Sequence, residues 1–128
     1  METDLESILR RLKGELEFLD SGGYKYCRRA PWRAAYIFEE SPSCANSSDH
    51  TRSHRCEDCW LMGFVPPDLR EEQVPCRFIE VAANGVTVDS LYRYGTQAES
   101  EDALRHWLHE RIRELEDQVR EAEQLRLP

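Results

Sequence analysis

Long apolar runs are missing from this chain. No stretch approaches the roughly 20 residues that a membrane span needs. A third of the 128 residues are charged and 40% are hydrophobic, which reads as a soluble, globular protein with room for one domain and a modest core. The opening residues carry acids (Glu2, Asp4) where a secretory signal would have basic residues and then a continuous apolar stretch. The expected location is therefore the cytoplasm. A surplus of positive charge is missing as well. At a net charge of −8 the molecule as a whole is not a general nucleic-acid binder, although a local basic patch remains compatible with that figure. There is no glycine-rich phosphate loop, no nucleophile elbow and no His-Glu-x-x-His motif. Their absence leans the reading away from an enzyme.

Cysteine is present in number. Cys56 and Cys59 form a Cys-x-x-Cys pair, and Cys44 and Cys76 bracket it, giving Cys44-x11-Cys56-x2-Cys59-x16-Cys76. Thiols in the cytosol are kept reduced, so such a cluster there points to a metal or redox site more than to disulfides. Five cysteines also leave one over in any disulfide scheme. A tight Cys-x-x-Cys turn aims two sulfurs the same way, and zinc needs two more ligands to complete a tetrahedron. Pro42 and Pro75 hold the chain extended just before Cys44 and Cys76 and limit the entropy lost on closure. The expected metal ligands are Cys44, Cys56, Cys59 and Cys76 around Zn2+, in a structural role. An iron–sulfur cluster on the same four thiols is the alternative, and a thiol oxidoreductase using Cys56 and Cys59 is a third reading. Cys27, His50 and His54 are the candidates to replace one ligand. A thioredoxin-like site is disfavoured, because that motif follows a buried strand and opens a helix, whereas 51–55 is polar. Trp60-Leu61-Met62 reads as a core anchor that seats the site.

The flanks are helical by pattern. Leu5, Leu9, Leu12, Leu16 and Leu19 make one stripe behind a capping box of Thr3 and Glu6, and Ser21-Gly22-Gly23 ends it. Leu108, Ile112, Leu115, Val119 and Ala122 make a second stripe on a longer helix that starts at a Thr96–Glu99 capping box, broadened by Leu104 and Trp107. The two stripes invite pairing within one chain, or in a homodimer. Between them, 33–39 reads as a strand. Residues 78–81 and 86–91 read as a hairpin around Asn84-Gly85. A two-residue turn would set Glu80 opposite Asp89, and a four-residue loop over 82–85 avoids that repulsion. Residues 41–53 read as a polar loop.

Residues 24–36 mix Lys25, Arg28, Arg29 and Arg33 with Tyr24, Tyr26, Trp32 and Tyr36. That composition suits phosphates and stacked bases, but the expectation is that the aromatics serve the core, with Trp32 as a packing anchor. His106 and His109 beside Trp107 are read as a solvated helix face. The fold class is α+β: a small antiparallel sheet with Cys-lined loops, flanked by an N-terminal helix and a long C-terminal helix. As a single domain, 1–22 is the first helix, 23–95 the β/loop body and 96–128 the last helix. The expected function is a four-cysteine zinc module that binds a protein partner or regulates one.

Overall fold

The computed structural model describes residues 4–47 and 53–126. Helix α1 spans Leu5–Asp20, with Asp4 as its N-cap accepting from the Glu6 N–H. The Thr3 half of the expected capping box lies outside the described residues. At the other end the chain leaves through Ser21 and Gly22, which takes φ +84° as helix exits favour. Helix α3, Gln97–Leu125, begins as its sequence implies. The Thr96 side chain accepts from the Glu99 N–H while Glu99 reaches back to Thr96. At 1.5 Å per residue it runs about 43 Å.

The two stripes face each other inside one chain. Leu12 and Leu19 of α1 join Leu104, Leu108, Ile112 and Leu115 of α3 in one buried core. Ion pairs Lys13–Glu116 and Asp20–Arg105 edge the seam. Their order shows that the helices run antiparallel. Trp107 extends this core towards the middle of the chain: its ring meets those of Phe38 and Phe64 edge-on, at 5.8 and 5.2 Å. His106 and His109 stand on the exposed side of α3.

The body between the helices is built mainly of turns. Short 3-10 turns occupy Cys56–Asp58, Met62–Phe64, Pro67–Leu69 and Pro75–Phe78. Strands β1 (Glu80–Ala82) and β2 (Val86–Thr87) form an antiparallel pair with Glu80 opposite Thr87, one irregularity, and Ala82 opposite Val86. Glu80 thus avoids Asp89. Asn84 and Gly85 take φ +64° and +74°, as a tight hairpin requires.

Two strand expectations fail. The second arm stops at Thr87, because Thr87 and Ser90 cap one another's backbone and start helix α2, Val88–Tyr94. Residues 33–39 form no strand. The Glu40 carboxylate takes the Tyr36 N–H at 2.7 Å and both ends of the Arg33 fork at 2.7 and 3.0 Å. The Glu40 N–H returns to the Tyr36 carbonyl, and Phe38 sits at φ +67°. These bonds curl the segment into a turn that buries Phe38 completely. Among the described residues no helix is long and apolar enough to cross a membrane.

Candidate metal centre

Three stretches of chain bring Cys44, Cys56, Cys59 and Cys76 to the wall of one small cavity of about 30 Å³. Cys56 opens its 3-10 turn, and Cys59 follows at once, its N–H donating to the Cys56 carbonyl at 2.9 Å. The Leu61 N–H lies 3.5 Å from the Cys59 sulfur, so the backbone already offers that atom a donor. Trp60, Leu61 and Met62 are buried immediately behind, which is the anchoring their sequence suggests. Cys76 sits in the turn that Pro75 initiates, and Pro75 itself is buried.

Cys44 depends on a different device. Its N–H donates to the carbonyl of Ser41, and its own carbonyl accepts from Ser47. Ser41 and Ser43 both donate hydroxyl protons to the buried carboxylate of Glu15 on α1. Tyr24 donates to the same carboxylate at 2.5 Å and accepts from the Phe38 N–H at 3.1 Å. The Ser43 carbonyl takes the indole N–H of Trp60 at 3.4 Å. One carboxylate therefore holds the Cys44 segment against the helix and beside the anchor that follows Cys59.

Two of the thiols are held towards their neutral form. Burial raises the Cys59 thiol above its ordinary range, the Leu61 N–H opposes that rise, and the neighbouring Cys44 and Cys56 add to it. Burial pushes Cys76 higher still, and the Glu39 carboxylate and the other three sulfurs act in the same direction. Thiols whose ionisation is opposed in this way are the kind that a dication placed among them would favour as thiolates. Glu39 lines the same cavity and is 8% exposed. Its two oxygens accept from Arg77 Nε and Nη2 at 2.9 and 2.8 Å, so its charge is balanced there. Among the described residues no three or more His, Cys, Asp or Glu side chains form a ready-made metal shell. The sulfurs share a cavity without converging to ligand distance.

Two of the three reserve ligands, Cys27 and His54, do not line this cavity. Cys27 is buried away from the cavity, and its thiol donates to Glu40 at 3.1 Å. The backbone of His54 is held by both ends of the Asn46 amide, and its side chain is exposed. His50 lies outside the described residues. Sequence reasoning missed Glu15 and Glu39. Glu15 stands three residues after Leu12 and four before Leu19, directly in the apolar stripe, which is the signal that could have found it. The aromatic expectation for 24–36 holds for Tyr24, which is buried. It fails for Trp32 and Tyr26, 82% and 69% exposed. The small residues Cys27, Ala30 and Ala35 are the buried ones instead, and the loop closes through Cys27 N–H to the Arg33 carbonyl at 2.9 Å. Compared with known proteins, the chain matches no family model, no curated protein and no solved structure.

Proposed function

We propose that this chain is a small zinc module in which Cys44, Cys56, Cys59 and Cys76 hold one ion as a structural tie across three stretches of chain. The observation that carries the reading is the single cavity lined by all four thiols. The donor set fits: four thiolates satisfy a closed tetrahedral zinc site, leaving no open position for a substrate. The cavity size favours a lone ion. About 30 Å³ suits a body the size of one water or ion, whereas an iron–sulfur cluster must also place its irons and sulfides among the cysteines. Drawing the sulfurs in requires movement of side chains carried on turns and loops. The ion supplies folding free energy to a body whose described residues hold two short strands, one short α-helix and otherwise turns.

The module serves partner binding in this reading. Exposed Tyr26 and Trp32 stand on a loop with exposed Lys25, Arg28 and Arg29. From 21 to 38 the chain has four basic residues and no acid, within a molecule of net charge −8. An acidic protein surface suits that loop, with the aromatic side chains as anchors.

Metal analysis of protein purified without oxygen tests the site. The expected result is one zinc per chain and a colourless solution. Cys59→Ser should lose the ion and lower the melting temperature. Iron with sulfide and a brown colour would replace zinc by a cluster. A Cys59→Ser variant that keeps both its metal and its full thermal stability would end the metal reading.

A further inference from the structure

A second cavity shares Glu39 with the cavity of the thiols. It holds about 400 Å³ and opens between 34–37, α2 and the start of α3. That volume falls in the range of small-molecule sites, which run from roughly 300 to 1,000 Å³. Ala35, Ile37, Val88 and Leu91 give it an apolar lining. Tyr36 and Tyr92 add two rings in edge contact, with centroids 4.4 Å apart.

The polar groups around it are unevenly matched. Of the carboxylates that line it, Glu39 accepts from Arg77 with both oxygens, and Asp89 accepts from Arg93 with Oδ2 at 3.0 Å. Donors are left over. Arg77 uses Nε and Nη2 on Glu39, which leaves Nη1 without a partner among the described residues. The hydroxyls of Tyr36 and Tyr92 share one hydrogen bond of 2.7 Å, which uses one of their two protons. The Gln97 side chain stands at the same rim, on the first turn of α3. A ligand that satisfies this lining must bring acceptors and an apolar body.

We propose that this cavity binds a small amphipathic anion: a flat or aliphatic body seated on Ala35, Ile37, Val88 and Leu91, with a carboxylate or phosphate head at Arg77 and the tyrosine hydroxyls. The planar guanidinium suits such a head, because its outer edge presents parallel N–H groups. The tyrosine rings suit a flat body. None of the groups used is a thiol, so the inference stands apart from the metal reading.

The test is calorimetric titration of the purified protein with naphthalene-2-carboxylate, 2-naphthyl phosphate and neutral naphthalene-2-carboxamide. One-to-one saturable binding of at least one anion, with a Kd below about 1 mM, is expected. The carboxamide should bind about tenfold more weakly. The tighter of the two anions identifies the head group. Gln97→Glu places a like charge at the rim and should weaken the anion about tenfold while leaving the carboxamide unchanged. An acid in the first turn suits a helix, so the melting temperature of this variant should hold. Arg77→Lys keeps the charge beside Glu39, loses the fork, and should also weaken the anion. The proposal is overturned if neither anion saturates, if the carboxamide binds equally well, or if Gln97→Glu leaves anion binding unchanged.

Discussion

Glu15 is 1% exposed and has no cation beside it among its described partners; three hydroxyls, from Tyr24, Ser41 and Ser43, donate to it. Burial raises its carboxyl above the ordinary value of 4.5, and the hydroxyls only partly oppose that. The folded state therefore binds this proton more tightly than the unfolded chain does. The resulting stability is fully present below the ordinary carboxyl value, and it is lost as pH rises through the raised one. Urea unfolding between pH 4 and pH 8 should show this falling contribution in the native protein and lack it in Glu15→Gln. Glu15→Ala should cost about 3 kcal/mol, because it strands buried hydroxyls. If Glu15→Ala proves neutral, the cluster does not hold the Cys44 segment.

Helix α2 has seven residues, too few to persist alone in water. Its start is fixed by the reciprocal bonds of Thr87 and Ser90, at 3.1 Å from Ser90 N–H to Thr87 Oγ and 2.9 Å from Thr87 N–H to Ser90 Oγ. Thr87→Ala should lower stability by about 1 kcal/mol and speed amide exchange in Val88–Tyr94 more than in α3. Equal exchange in both helices would show that packing alone holds α2. The same cap explains why this element was not legible. Val86, Val88 and Leu91 read as a strand arm by composition, while Thr87 and Ser90 carried the helix signal in a spacing usually completed by Glu or Gln. The long helices were legible because their stripes repeat over several turns and their caps agree with the stripes. The strand expected over 33–39 failed because of side-chain bonding close by in the chain: Glu40 gathers Arg33 and Tyr36 with one carboxylate, which no apolar period encodes. At the candidate site the spacing singled out four cysteines that line one cavity. The carboxylates behind them were hidden, because acids read as surface until a fold encloses them.

At the scale of the whole molecule the two cavities share a wall. Glu39 lines both, and the residue it grips, Arg77, follows Cys76 in the chain. Any ion that draws Cys76 inward also acts on the 3-10 turn Pro75–Phe78 that carries Arg77. If both proposals hold, metal and anion bind to coupled sites, and coupling between two equilibria is reciprocal. Zinc-loaded protein should bind the preferred naphthyl anion more tightly than chelator-stripped protein. The anion should raise zinc affinity by the same factor, measured by competition with a chromogenic chelator. A factor of about five corresponds to roughly 1 kcal/mol of coupling, at the lower end of what linked sites show. Stripping the metal also removes the tie between the Cys44, Cys56–Cys59 and Cys76 stretches, so the melting temperature should fall with chelator and recover with added zinc. The two effects separate. A lower melting temperature with unchanged anion affinity would mean that the ion only braces the fold. A change in affinity at a temperature where the stripped protein is still folded would place the communication in Glu39 and Arg77, and Arg77→Lys should then shrink the coupling factor towards one.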